Sequence, residues 1–334
     1  MLHAFPVPQP LRRLALLAGL CIALPACAEH YGDHPAAADF IDELVAEDGF
    51  EREELEALFA QAERQDSILE AIARPAEKTK PWHEYRDIFL TDRRIDEGIA
   101  FLAKHRDTLA AAEAESGVPA PVIAAVLGVE TYYGRITGSY AVIDALSTLA
   151  FDYPPRSPFF RRELRHFLLL AREQGLDPAT LEGSYAGAMG YGQFMPSSYR
   201  SYAVDFDGDG LADIWNNPAD AIGSVANSLA RHGWRPGEPV AARATLAGPV
   251  PADWFDDGLD AERTVAELGA GGLVAGRELP AEAPALALSL QGDDGPEYWI
   301  GLPNFYVITR YNHSALYAMA VYQLSERLRE GAGA

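Results

Sequence analysis

Cysteine is nearly missing from this chain: its 334 residues include two, Cys21 and Cys27, both near the N-terminus. That excludes a disulfide framework in the body of the protein and a paired-cysteine metal site there. Positive charge is scarce too, with 27 Lys and Arg against 49 Asp and Glu and a net charge of −22. A field of that sign disfavours the phosphate backbone, so nucleic acid is excluded as a partner. It nominates no partner, because soluble surfaces are often acidic. Several catalytic signatures are also absent: there is no Walker A sequence, no G-x-S-x-G, no S-x-x-K, and "HEYRD" lacks the second histidine of a zincin. The eight histidines are scattered, and no internal repeat or low-complexity tract interrupts the chain.

What is present begins with an export signal. Residues 1–26 carry Arg12 and Arg13, no acid, and an apolar run of about a dozen residues, too short for a stable membrane span. Two processing sites fit. "LPAC" reads as a lipobox, which would leave Cys27 lipidated, and "ACA" suits an ordinary signal peptidase; the lipobox is the favoured reading. After it, 49% hydrophobic content is enough for a substantial core.

Three- and four-residue apolar spacing in "AAADFIDELVAEDG", "REELEALFAQAER" and "DSILEAIARP" predicts short helices. "LTDRRIDEGIAFLAKHRDTLAAAEAESG" predicts one longer amphipathic helix closed by Gly117, and "PAPVIAAVLGVE" opens the next with proline in its first turn. In "SPFFRRELRHFLLLAREQG", Ser157 suits a cap and Pro158 the first helical position. Beyond Pro236 the composition becomes rich in Gly and Pro, and "APALALSLQG" and "EYWIGLPNFYVITRYN" have strand-length apolar patterns. The expected fold class is therefore α+β and mainly helical. Its expected divisions are a signal (1–26), an N-terminal helical region (27–117), a central unit (118–236), a small β-containing part (237–310) and a C-terminal segment with a helix packing back (311–334).

Glu130 in "AAVLGVETYYGR" stands three, four and seven positions after Leu127, Val126 and Ile123, so it shares their apolar stripe. Burial and the helix C-terminus, with Gly134 as the expected terminator, both favour its protonated form. A protonated carboxyl in an apolar pocket suits a general acid for glycosidic cleavage. The structural alternative is a helix-end glutamate bonded to an amide or to Arg135. "SYAGAMGYGQFMPSSY" (184–199) mixes four glycines with aromatic and polar side chains, which lets backbone approach a ligand and offers ring faces to sugars.

In "DFDGDGLADIWN", Asp205, Asp207 and Asp209 occupy positions 1, 3 and 5 of an EF-hand-type loop, with Gly210 at 6. Leu211 would add a carbonyl oxygen and Asp213 a water-bridged contact. Asn216 replaces the usual closing glutamate, and Asp220 either closes the sphere or is a first-turn acid. The implied cation is Ca2+, in a structural role.

Together, "GVETYYG", "SYAGAMGYGQFMPSSY" and "AVDFDGDGLADIWNNPADAIGSVANSLARHGW" resemble the membrane-bound lytic murein transglycosylase B family, glycoside hydrolase family 103. The resemblance runs from "KPWHEYRDIFLT" to "VITRYNHSALYAMAVYQL". It implies a lysozyme-like core (118–236) around a groove, a calcium loop at 205–220, and Glu130 as sole catalytic acid. Tyr85, Ser184, Gln193, Tyr311, Asn312 and Tyr317 match positions that hold the glycan. "DYPPRS" departs from the family, with Arg156 alone where two adjacent arginines are common.

The implied reaction cleaves the β-1,4 bond between N-acetylmuramic acid and N-acetylglucosamine in peptidoglycan without water, leaving 1,6-anhydromuramoyl ends. The implied partners are peptidoglycan glycan strands, a membrane if Cys27 is acylated, and cell-wall synthesis or remodelling proteins that the sequence does not identify. The implied location is the periplasm, as an outer-membrane lipoprotein. Two alternatives are a lysozyme-type hydrolase, with Asp144 or Asp152 as second carboxylate, and a non-catalytic peptidoglycan-binding scaffold.

Overall fold

A computed structural model describes residues 30–73, 80–255 and 258–333, so the signal segment and Cys27 lie outside the described residues. The fold is α+β and mainly helical. Helices α1 (Pro35–Asp48), α2 (Arg52–Phe59) and α3 (Asp66–Ile72) bury Phe40, Leu44, Phe59 and Ile68 and sit beside α8 (Val142–Phe151) and α9 (Ser157–Gln174). Pairs Arg161–Glu43 and Arg165–Glu47, at 2.9 and 2.7 Å, tie α9 to α1. Their exposure makes them minor contributors beside the buried rings. The cap of α9 differs from expectation. Ser157 is already helical and its hydroxyl donates to the Ala150 carbonyl, which places Pro158 at the second position.

The stretch expected to be one long helix is two, α5 (Asp92–Lys104) and α6 (Arg106–Ser116). The chain breaks at His105 (φ −109°, ψ 26°), whose ring lies 4.5 Å from Phe101. Phe101, Leu109 and Ala112 keep helical spacing across the break, so periodicity alone cannot reveal it. Gly117 does close α6, in the left-handed conformation (φ 71°). Helix α7 (Ala120–Thr131) follows and is buried on every side from Val122 to Val129. It forms the central rod against which α5, α6, α11 (Pro218–Arg231) and α14 (Ala315–Ala332) pack. Strand β1 (Tyr140–Ala141), just before α8, pairs antiparallel with β2 (Glu182–Gly183), which follows α9; α10 (Pro196–Tyr202) then leads toward α11.

The remaining strands, β3 (Ala241–Leu246), β4 (Arg263–Thr264), β5 (Leu273–Ala275), β6 (Pro284–Gly292) and β7 (Gly295–Gly301), form an antiparallel sheet in the order β4-β6-β7-β3-β5. Strand side chains alternate between faces. Leu286, Leu288 and Leu290 therefore join the helical core, whereas Ala285 and Ala287 join a second, smaller core with α12 (Val265–Ala270), Leu273 and Ile300. Burial on both faces explains why β6 reads as a continuous apolar run. Helix α4 (Trp82–Phe89) clamps the sheet to the body: Arg86 pairs with Asp293 at 2.8 Å and the His83 ring contacts the Gln291 carbonyl at 3.2 Å. Helix α13 (Pro303–Thr309) returns the chain to α14, which Ser314 caps through the Tyr317 amide.

Candidate active site

Glu130 is the penultimate residue of α7 and is half-buried. Gly134 is not the terminator: the helix turns over at Tyr132 (φ 55°, ψ 49°) and Tyr133 (φ 60°), with Gly134 (φ 85°) third in a left-handed run. Glu130 does share the face of Ile123, Val126 and Leu127, although that face is no distinct stripe, since the helix before it is buried all round. Arg135 pairs with Glu97. Tyr317 of α14 reaches Glu130, its hydroxyl donating to Glu130 Oε1 at 2.5 Å. Burial and the neighbouring Glu130 push the Tyr317 phenol well above its ordinary range, so it remains a neutral donor.

Tyr311 lies parallel to Tyr317, with centroids 6.5 Å apart and planes 6° from each other. Its hydroxyl donates to the Gly192 carbonyl at 2.6 Å, and burial first, then Glu130, raises its phenol. Tyr85 of α4 is buried beside Phe89, with centroids 5.1 Å apart, and adds to the upward push on Tyr317. Asn312, between Tyr311 and Tyr317 in sequence, is half-buried, and its carbonyl accepts the Ser314 amide at 2.7 Å. The structure thus brings Glu130, Tyr317, Tyr311 and Tyr85 into one cluster.

Gln193 and Ser184 shape the glycine-rich loop. Gln193 (φ 49°) donates from Nε2 to the carbonyls of Thr137 at 3.0 Å and Gly190 at 2.9 Å. Ser184 Oγ accepts the amides of Ala186 and Ala188 at 3.3 and 3.1 Å, closing the turn before Met189. Sequence reading missed Thr131. Its buried hydroxyl donates to the Tyr191 carbonyl at 2.7 Å and accepts the Gly134 amide at 2.9 Å, joining the end of α7 to that loop. Its position beside the acid was the available signal.

The two aspartates considered as a second carboxylate are engaged elsewhere. Asp144 Oδ1 accepts the Glu63 amide at 2.9 Å, and Asp152 Oδ2 accepts the Tyr31 hydroxyl at 2.6 Å. Both anchor the N-terminal helices. A cavity of about 1040 Å³ opens near the other end of α7, among Arg106, Pro121, Trp234, Arg277 and Tyr322, and includes none of these site residues.

The loop after α10 gathers Asp205, Asp207, Asp209 and Asp220, one carboxylate oxygen from each lying within 4.8 Å of the others. Asp205 accepts the amides of Gly208, Asp209 and Gly210, with Gly208 and Gly210 at φ 80° and 101° supplying the tight turn. Asp220 is buried and accepts the amides of Phe206 and Asp213, both at 2.8 Å; burial raises its carboxyl and those amides partly oppose the rise. Leu211 offers its carbonyl, which accepts the Asp213 amide at 3.0 Å. Asp213 itself is turned onto the amides of Trp215 and Asn216 at 3.0 and 2.9 Å. Four converging carboxylates, one of them desolvated, fit a hard divalent cation with oxygen ligands.

The sequence pattern of the family described as "Transglycosylase SLT domain" matches residues 32–326. The chain is 45% identical over 305 residues to membrane-bound lytic murein transglycosylase B of Escherichia coli, covering 89% of this chain and 83% of that one. Among solved structures it is similar to soluble lytic transglycosylase SltB1 of Pseudomonas aeruginosa, at 55% identity and a TM-score of 0.85, over 90% of this chain and all of that one. It is also similar to the Escherichia coli lytic transglycosylase Slt35 in complex with calcium, at 43% identity and a TM-score of 0.82, over 90% of this chain and 95% of that one.

Proposed function

The chain belongs to the transglycosylase SLT domain family and is a lytic transglycosylase of peptidoglycan, and from that premise we propose that Glu130 is its single acid and base. The carrying observation is the Tyr317 hydroxyl on Glu130 Oε1, while Asp144 and Asp152 are spent on the N-terminal helices. Glu130 protonates the oxygen bridging N-acetylmuramic acid to N-acetylglucosamine, and the C1–O bond breaks with its electron pair leaving on that oxygen. The resulting carboxylate then takes the proton of the muramoyl C6 hydroxyl as that oxygen bonds to C1. No water enters, and the product carries a 1,6-anhydro ring. The attacking hydroxyl belongs to the substrate, and effective molarities for such tethered groups can reach about 10⁵ M or more, against roughly 55 M for water. A second carboxylate is then unnecessary.

Tyr317 keeps Glu130 oriented through both proton transfers. Ser184, Gln193, Tyr311 and Asn312 are proposed to hold the glycan, through the half-buried Tyr311 ring and the glycine-rich backbone, with the buried Tyr85 backing the cluster at Tyr317. The test is Glu130→Gln, which removes the transferable proton and little else. It is expected to lose at least about 10²-fold in turnover of purified sacculi while still binding glycan; near-normal turnover would refute the role.

Asp205, Asp207, Asp209, Asp220 and the Leu211 carbonyl are proposed to hold a structural Ca2+, supported by their convergence and by the calcium complex of Slt35. Residues 205–220 also immediately precede or open α11, which packs on α7, so a bound cation would stiffen the scaffold of the acid without joining the reaction. The divisions at 117, 236 and 310 are proposed as functional units on the same scaffold. Export to the periplasm, with acylation of Cys27 anchoring the protein at the outer membrane, is proposed from residues 1–27 and from the membrane-bound relative. Incorporation of labelled palmitate by wild type and not by Cys27→Ser is the expected result; an unlabelled, soluble wild type would refute it.

A further inference from the structure

We propose that Tyr133 is a positioning residue for Glu130, a latch that fixes the last turn of α7 against α5; the proposal rests on Glu130 being the acid. Tyr132 and Tyr133 are consecutive non-glycine residues with positive φ, at 55° and 60°. Such a conformation is strained for a residue with a Cβ, and glycine would take it without penalty. Strain of this kind persists where the surroundings over-determine it. Here the surroundings are explicit.

The Tyr133 side chain, 8% exposed, enters a slot made by two glycines. A Cβ at Gly98 of α5 would stand 2.2 Å from the Tyr133 hydroxyl, and one at Gly128 of α7 would stand 2.7 Å from its ring. Phe101 lies along the ring, with centroids 5.5 Å apart and planes 29° from each other. The hydroxyl donates to the Arg94 carbonyl at 2.9 Å, and the Tyr133 amide donates to the Leu127 carbonyl at 3.0 Å. One residue thus crosslinks α5 to the last turn of α7, three positions after the acid. Tyr132 adds a smaller contact, its ring 4.5 Å from the Arg94 guanidinium. Thr131 holds the opposite side through the Tyr191 carbonyl.

Glycines at 132 and 133 would make the turn easier and lose both attachments to α5. The side chains are therefore what the strain secures. A single-acid mechanism asks one carboxylate to meet the leaving oxygen and then the C6 hydroxyl, and a misplacement of about 1 Å can cost about 10²-fold. Loosening the latch should therefore lower kcat and spare glycan binding.

The experiment compares wild type, Tyr133→Phe, Gly128→Ala, the double variant Gly128→Ala/Tyr133→Ala and Glu130→Gln on soluble, uncrosslinked glycan strands, with kcat, KM and melting curves for each. Tyr133→Phe keeps the ring and loses the hydroxyl bond, and should lower kcat about 3- to 10-fold. Gly128→Ala suits a helix, but the three atoms nearest its added Cβ all belong to Tyr133. It should expel the latch and lower kcat about 30- to 100-fold, with KM within about twofold of wild type. Because Gly128→Ala acts by displacing Tyr133, removing that ring as well should leave the double variant no slower than Gly128→Ala alone. If Gly128→Ala does not fold, Tyr133→Phe decides alone. Wild-type kcat in Tyr133→Phe, or losses that merely follow the unfolded fraction, would overturn the proposal. Activity retained by Glu130→Gln would overturn the underlying reading instead.

Discussion

The end of α7 and the loop at 205–220 both gather carboxylate chemistry, and they do it in opposite ways. At Glu130 the chain supplies the setting itself: a neutral phenol on Oε1, a buried threonine tied to the neighbouring loop and a tyrosine lodged between two glycines. At the loop, four carboxylates converge, three of them exposed, and the hydrogen bonds they accept come from backbone amides and from the Asn217 side chain. Dipoles of that kind orient carboxylates but do not cancel four like charges. The difference teaches that preorganisation in this fold has two sources. On the proposed reading Glu130 is positioned by the protein's own side chains, whereas the loop would be completed by a cation.

That contrast can be broken first at the acid. Tyr317→Phe removes the donor and leaves the ring stacked on Tyr311. Glu130 gains negative charge as it gives up its proton, and a hydrogen bond to a charged group contributes about 1.5–3 kcal/mol, so kcat should fall about 10- to 100-fold. Initial rates on soluble glycan strands measure it, and a rate within twofold of wild type would mean that Glu130 is held by something else. A smaller effect sharpens the other side of the comparison. In metal-stripped protein, calcium at about 100 times its Kd should stabilise the fold by about 2.7 kcal/mol, a rise of several degrees in Tm. Asp209→Ala should blunt that rise while leaving turnover intact at temperatures well below melting. A melting curve indifferent to calcium and chelator would show that the acidic loop is complete without a cation.

Much of this was legible in the sequence, for reasons particular to each element. Charge at positions 1, 3 and 5 with glycine at 6 is a local code, so the loop could be read without knowing the fold, while Asp220 stayed open between a place in the sphere and a first-turn acid. The helices were legible from spacing, but the division at His105 was not, because Phe101, Leu109 and Ala112 stay in phase across it. The chain end of α7 misled for a different reason. Gly134 is the residue that propensity favours for a left-handed cap, yet packing of Tyr133 against α5, remote in sequence, moves the cap two residues earlier. Asp144 and Asp152 looked available for catalysis because sequence does not reveal that residues 31 and 63 consume them. Tyr317 illustrates the limit most clearly: resemblance implied it as a glycan-holding position, and its contact with Glu130, 187 positions away, has no local pattern to announce it.

The central claim is that one carboxylate, held by its own chain, performs both proton transfers. The most direct measurement is the oxygen isotope content of muramoyl ends released by the wild-type protein from sacculi in heavy-oxygen water. The expected ends are 1,6-anhydromuramoyl, one water lighter than hydrolysed ends and free of heavy oxygen. Reducing muramoyl ends carrying heavy oxygen as the main product would contradict it, because a group other than Glu130 would then be activating water.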